Sequence, residues 1–295
     1  MAHWFITGAR GFIGSTVCRD LLGDGHRVTG LTRRISAQHD PNVTWVERVD
    51  QMPEDVDQIL NLAGEGIADK RWSPARRTAL LDSRIRVTEE LAARANQVGV
   101  QHVISASAVG YYGSAGEVTE QSAQGSGFAA DLCARWEQAA GGFEAPCAVL
   151  RLGVVLGGGG FLNRTLLPFS LGLGGPIGSG QQGFSWIHLD DVVAMIRWVS
   201  EHQKTGVYNA TGPQAVTNSD MARALGQAVR RPAVIPAPSL VMRCVFGQMA
   251  EELLLAGQMA LPARAQQEGF TFRHPDIQSA MRAAVLSKRS GSRGG

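Results

Sequence analysis

Only three lysines, at positions 70, 204 and 288, and three tyrosines, at 111, 112 and 208, occur in 295 residues. Chemistry that couples a tyrosine to a lysine therefore has few places to occur. The four cysteines, at 18, 133, 147 and 244, form no C-x-x-C pair and no zinc-like spacing, which argues against a disulfide framework and for reduced thiols in a cytoplasmic protein. The histidines show no H-E-x-x-H or other ligand spacing, so no metal is expected. No G-x-S-x-G elbow is present, which argues against a serine hydrolase. An excess of one charge is also missing: +2 from 28 basic and 26 acidic side chains leaves no footprint for nucleic acid or an anionic membrane. The long uncharged stretch from Leu166 to Trp186 is broken by Pro168, Pro176 and repeated glycines, so it would span a bilayer poorly. It reads as a loop region beside a ligand.

What is present is enough apolar residue, 44%, for one large domain and a smaller lobe. Strand-like runs at 3–7, 27–32, 43–46, 57–62, 101–106 and 145–152 alternate with helix-like segments at 12–23, 75–97 and 128–140. That alternation predicts an α/β fold, a doubly wound parallel sheet covered on both faces. The amino terminus enters the first strand at once, leaving no room for a cleavable apolar leader. After residue 151 the chain leaves the sheet and returns. Residues 1–230 are expected to form the main domain, with a loop insertion at about 156–186 on the substrate side. Residues 231–286 are expected to form a small C-terminal lobe, and 287–295 a disordered tail.

The most informative stretch is His3-Trp-Phe-Ile-Thr-Gly-Ala-Arg-Gly-Phe-Ile-Gly14, a buried strand running into a glycine-punctuated helix start. Gly8 allows a tight turn, Gly11 lets the backbone approach phosphate, and Gly14 lets helix pack on strand, while the helix N-terminus offers N–H groups to a dinucleotide diphosphate. Selectivity should follow from the end of the second strand. Sites that prefer NAD place a carboxylate there, but this chain has Thr32, Arg33 and Arg34. A guanidinium binds a 2′-phosphate through charge-assisted hydrogen bonds, so NADP(H) is the expected cofactor. Asn61-Leu-Ala-Gly64 ends the next sheet strand, where ligands of parallel sheets sit.

Gly8 to Gly14, Asn61 to Gly64, Ser105-Ala-Ser-Ala-Val-Gly-Tyr-Tyr-Gly113 and Trp186-Ile-His-Leu-Asp-Asp191 together resemble the extended short-chain dehydrogenase/reductases, over residues 1 to about 230. Asp82-Ser-Arg84, Trp136-Glu137, Leu166-Leu-Pro-Phe169, Leu171 to Gly180 and Phe246 to Leu255 resemble an atypical branch, the "epimerase family" and cell-division-inhibitor-like proteins, along nearly the whole chain. The resemblance implies an NADP-binding Rossmann domain with a small C-terminal domain. It implies phosphate contacts from Gly8, Arg10, Gly11, Phe12, Ile13 and Gly14, and 2′-phosphate or ribose contacts from Thr32 and Arg33. Leu62, Ala63, Arg84 and Val154 are implied at the cofactor, Val154 at its nicotinamide end, and Ser107 at the substrate's reacting oxygen.

One departure stands out. Typical members use Tyr-x-x-x-Lys for proton transfer, but the residues four positions after the tyrosines here are Ala115, Gly116 and Gly212. Tyr112, close in sequence to Ser107, is the candidate replacement, with Glu120, Asp131, Cys133 and Lys70 as weaker ones. His188 is expected to tie the returning segment to the sheet, and Asp190 to cap a helix. The leading reading is an NADP(H)-dependent oxidoreductase or epimerase acting on a small molecule. Its rival is a catalytically silent NADP-binding regulator linked to cell division. The residues name neither substrate nor oligomeric state.

Overall fold

A computed structural model describes residues 1–291. The chain opens with β1 (His3–Thr7), α1 (Phe12–Gly23), β2 (Arg27–Leu31), β3 (Thr44–Val46) and β4 (Gln58–Asn61). Two helices, α2 (Pro74–Asp82) and α3 (Ile85–Val98), lead to β5 (His102–Ala108), β6 (Glu117–Val118), α4 (Phe128–Ala140) and β7 (Cys147–Leu152). Then come β8 (Val154–Leu156), α5 (Phe161–Ser170), β9 (Trp186–His188), α6 (Leu189–Glu201), β10 (Gly206–Ala210) and α7 (Asn218–Val229). The remainder holds α8 (Ser239–Phe246), α9 (Gln248–Ala250), β11 (Met259–Ala260), α10 (Ala263–Gln267) and α11 (Ile277–Gly291).

Seven strands form one parallel sheet in the order β10-β7-β5-β4-β1-β2-β3. The chain steps outward from β1 in one direction to β3 and then resumes on its other side at β4. This reversal opens a crevice above the carboxyl ends of β1 and β4, where doubly wound sheets hold ligands. All five residues of β1 are buried, as a central strand covered on both faces requires. Its one polar opening residue, His3, is satisfied by Asp55 Oδ1 at 3.0 Å and Thr29 Oγ1 at 2.8 Å. On one face α1 buries Gly14, Val17, Cys18 and Leu21 at helical spacing, against a core shared with Val192, Ile196 and Val199 of α6. On the other, Phe5, Ile59 and Val103 pack with Leu91 and Ala95 of α3.

The structure departs from the expected organisation in three places. The segment 75–97 is two helices, broken at Ser83-Arg84, where the Arg84 side chain is drawn under the 64–66 turn to donate to the Glu65 carbonyl at 2.8 Å. The division at residue 230 does not follow the packing: Leu156, Leu162 and Trp186 share one core with Met221 and Leu225 of α7 and with Ile277, Met281 and Val285 of α11. The smaller lobe is thus assembled from separated pieces of chain, while Ala265 and Phe270 join the main core. The expected tail is helical through residue 291, with Lys288 Nζ donating to Asn163 Oδ1 at 2.6 Å, and 292–295 lie outside the described residues.

Candidate functional site

The turn between β1 and α1 has no room for side chains. Gly8 has φ +65°, and a Cβ there would lie 2.6 Å from the Leu62 carbonyl oxygen. At Gly14 a Cβ would stand 2.9 Å from Ala9 Cα and closer still to Gly8 O. Gly11 is the N-cap of α1, and no side chain closes over that helix end. By contrast α2, α6 and α7 are capped by Ser73, His188 and Thr217. The first-turn N–H groups of α1, from Phe12 to Gly14, are therefore left without a side-chain acceptor at the helix end. The Phe12 ring is received by the glycine run after β8, where a Cβ at Gly157 or Gly159 would meet it at 2.7 Å, and Ile13 packs on the main core.

Around this turn the sheet ends are knitted together. Thr7 Oγ1 donates to Asn61 Oδ1 at 2.8 Å and accepts from Leu62 N at 2.9 Å, while Ala63 N donates to Asn61 Oδ1 at 3.3 Å. Asn61 Nδ2 reaches Thr88 Oγ1 at 2.8 Å, fixing β4 to α3. Leu62 and Ala63 are thereby held beside Gly8. Thr32 is buried at the end of β2, with Oγ1 donating to the Arg34 carbonyl at 3.2 Å. Arg33 is 95% exposed, its nearest carboxylate Glu65 at 3.9 Å, and Arg10 is exposed on the turn. Arg84 is buried under the 64–66 turn, donating to the Glu65 carbonyl at 2.8 Å, and burial pulls its pKa down. Val154 is half-buried at the start of β8, just past β7.

The polar cluster at the end of β5 differs from expectation. Ser107 donates to Glu137 Oε1 on α4 at 2.6 Å. Arg151 from β7 holds the same carboxylate with both Nε (2.8 Å) and Nη2 (2.7 Å). The Arg151 guanidinium lies 3.4 Å over the Tyr111 ring and donates to Tyr112 OH at 2.9 Å. Tyr112, 2% exposed, donates its O–H to Asn209 Oδ1 at 2.7 Å. Its hydroxyl is thus committed to protein partners. Burial pushes the phenol above its ordinary pKa despite Arg151. The structure does not present Tyr112 to the crevice as a proton donor.

Comparison with known proteins places this geometry. The profile of the NAD dependent epimerase/dehydratase family matches residues 4–211. The chain belongs to that family. A second profile, a domain of unknown function (DUF1731), matches residues 237–284. An epimerase family protein of Mycobacterium bovis is 40% identical over 287 residues, covering 94% of this chain and 95% of its own. Mouse SDR39U1 is 39% identical over 293 residues, covering 95% and 98%. The crystal structure of human SDR39U1 (isoform 2) with NADPH aligns at a TM-score of 0.89 and 34% identity, over 96% of this chain and 99% of that one. UDP-glucose 4-epimerase from Stenotrophomonas maltophila shares the fold at a TM-score of 0.77 and 19% identity.

Within this family member the face of α4 turned toward the β5 exit carries Ala129 and Cys133, four residues apart: a Cβ at Gly110 would meet them at 3.5 and 3.6 Å. Neither can shuttle a proton at neutral pH, since burial pushes the Cys133 thiol up to about 11. Glu120 is structural, accepting from Asn209 N at 3.0 Å and Arg264 N at 3.3 Å, and exposed Asp131 accepts from Gln124 at 3.3 Å. Lys70 is exposed. Sequence reasoning missed Glu137 and Arg151 as a pair. The available signal was a lone arginine inside the apolar strand Cys147–Leu152.

At β9 the cap of α6 is His188, whose Nδ1 accepts from Asp190 N at 3.2 Å; Asp190 is not the cap but turns to His274 Nε2 at 3.3 Å. His188, Asp190 and His274 offer ligand-type atoms within 4.8 Å of one another. The histidine rings meet at a tilt of 46° with centroids 3.9 Å apart and the His188 Nδ1 lone pair is taken by the cap, so the group is a latch between α6 and the segment before α11. Asp191 completes it, accepting from Arg273 N at 2.6 Å and His274 N at 3.2 Å.

Proposed function

We propose that the chain binds NADP(H) across the β1–β4 crevice and acts as an oxidoreductase or epimerase-like enzyme on a small molecule, without a tyrosine–lysine pair. The observation that carries the cofactor reading is the uncapped N-terminus of α1 between Gly8 and Gly14, with an exposed arginine rather than a carboxylate after β2. The NADPH in the human SDR39U1 crystal structure supports it. Gly8, Arg10, Gly11, Phe12, Ile13 and Gly14 hold the diphosphate, mainly through backbone N–H groups. Thr32 and Arg33 take the ribose and its 2′-phosphate, Leu62 and Ala63 line the adenosine side, Arg84 props the 64–66 turn, and Val154 bounds the nicotinamide end. Bound NADPH supplies a hydride. The Ser107 O–H is engaged as a donor to Glu137, so toward a substrate its oxygen acts as an acceptor.

A second reading has its own support: with Tyr112 committed and α4 presenting Ala129 and Cys133, the family fold here could serve as a silent NADP-dependent regulator of a partner. Fluorescence titration tests the cofactor. Arg33→Ala should weaken NADPH by about 10- to 150-fold, the loss of one charge-assisted hydrogen bond, and leave NADH unchanged. Equal weakening of both would remove the 2′-phosphate assignment. Net oxidation of NADPH by carbonyl compounds, quinones or nucleotide sugars marks an oxidoreductase, and interconversion of nucleotide-sugar epimers by the protein loaded with NADP+ marks an epimerase; the regulator would show neither.

A further inference from the structure

Large aliphatic side chains are unevenly exposed, and most of those open to solvent among the described residues lie in two stretches, 167–173 and 234–245. Leu167, Leu171 and Leu173 stand 68, 64 and 59% exposed on α5 and the turn after it. α8 buries none of its residues, and its Leu240, Val241 and Val245 are all more than half exposed. The stretches are laced together by Ile235 N to Gly174 O at 3.2 Å, Ala237 N to Pro176 O at 2.9 Å and Gly178 N to Ala237 O at 2.9 Å. Helical aliphatic residues gathered on one lobe and left wet mark an interaction surface.

Charge is uneven in the same region. No aspartate or glutamate occurs between residues 145 and 189 or between 221 and 250, whereas Arg164, Arg223, Arg230, Arg231 and Arg243 do. Asp69, Asp220 and Glu251 answer three of them. Arg231 instead donates to the Ser170 carbonyl and neighbouring Arg71 to the Cys244 carbonyl, at 3.2 and 3.3 Å, so each keeps its full charge beside the aliphatic face. The near-zero net charge of the whole chain conceals this.

We propose that this face of the small lobe docks the protein on an anionic membrane surface, the aliphatic side chains entering the interface and the arginines meeting lipid phosphates. Such a surface satisfies both halves of the pattern. A symmetric pairing with a second copy would bring Arg71 and Arg231 toward the same basic face of its partner, whose nearby carboxylates Asp69, Asp220 and Glu251 are already engaged by Arg164, Arg223 and Arg243. The lobe that docks is joined to the crevice, since Glu252 accepts from Phe128 N and Ala129 N at the start of α4, at 3.2 and 2.9 Å.

Flotation of the full chain with vesicles of phosphatidylcholine, alone or mixed with phosphatidylglycerol, tests this. The protein should float with the mixed vesicles only, and its bound fraction should fall several-fold as salt is raised. The double variant Leu240→Glu, Val245→Glu should bind at least about tenfold more weakly, as should Leu171→Glu on the other stretch, with NADPH affinity unchanged in both. Absence of flotation, or equal flotation of the wild type and both variants, would overturn the proposal. So would a concentration-dependent dimer in sedimentation velocity that either variant abolishes, because the face would then cover a second copy. Loss of NADPH binding by the wild type would remove the cofactor reading and leave this one standing.

Discussion

Replacing Gly14 by alanine tests the cradle at its tightest point. The added Cβ would lie 2.9 Å from Ala9 Cα and from the Gly8 carbonyl carbon, where ordinary contact begins at 3.4 Å, and it would be nearer still to Gly8 O. All are backbone atoms, so no side chain can rotate away; the start of α1 must part from the turn by at least about half an ångström. Overpacking of this kind costs about 1–3 kcal/mol. For a chain of this size each kcal/mol lowers the melting temperature by roughly 2–4 °C. The same displacement moves the first-turn N–H groups off the diphosphate, and losing one such bond weakens binding by roughly 10- to 150-fold. Gly23→Ala is the matched control: it ends the same helix, has nothing within 4 Å of its would-be Cβ, and should gain about 0.5–1 kcal/mol. Thermal melting and NADPH fluorescence titration read both variants. A Gly14→Ala protein with wild-type melting and wild-type affinity would refute the cradle.

Three further outcomes are expected. Tyr112→Phe leaves Arg151 Nη1 and Asn209 Oδ1 without their partner and should cost about 1–3 kcal/mol in urea unfolding, whereas a stable variant lacking turnover would return Tyr112 to the chemistry. Glu137→Gln strips the carboxylate from a buried bidentate arginine and should cost about 3–5 kcal/mol by the same measurement; a change below 1 kcal/mol would mean that the pair is solvated. His188 is held down at about 4 by burial and by His274, so between its ordinary value of 6.5 and pH 4 the unfolded chain binds the proton that the folded one refuses. Stability should then be intact above about pH 6.5 and decline by roughly 2–3 kcal/mol toward pH 4, and His188→Gln should flatten that slope.

The first strand, turn and helix were legible to the residue because everything that shapes them is local: a strand buried on both faces, and glycines where neighbouring backbone leaves no space. The break at Ser83-Arg84 was not, because its cause is tertiary, an arginine drawn under a turn about twenty residues earlier in the chain. What the small lobe packs against was hidden for the same reason. Its core joins residues from Leu156 to Val285, and periodicity along α11 shows that one face is apolar without showing what it meets. At the site, nearness to Ser107 points to Tyr112, but sequence does not say whether its ring or that of its neighbour Tyr111 turns inward, and it is Tyr112 that is buried. The helix cap was assigned to Asp190 by residue preference, but β9 delivers His188 to that position first.

Placing a cation beside a tyrosine is not sufficient to make that tyrosine an acid-base catalyst, and this chain shows why. Arg151 Nη1 is 2.9 Å from Tyr112 OH, close enough to favour the phenolate, yet the phenol remains above its ordinary pKa. Two features explain the outcome. Burial penalises the phenolate more than the single arginine contact stabilises it, and the positive charge of Arg151 is largely answered by the bidentate Glu137 carboxylate. A lysine free of any carboxylate would act on a tyrosine with its whole charge. Here the cation closes a network that runs from Ser107 through Glu137 and Arg151 to Tyr112 and Asn209, and that network holds β5, α4, β7 and β10 together. With its O–H donated to Asn209 Oδ1 and its oxygen accepting from Arg151, Tyr112 is held as a structural member of that network.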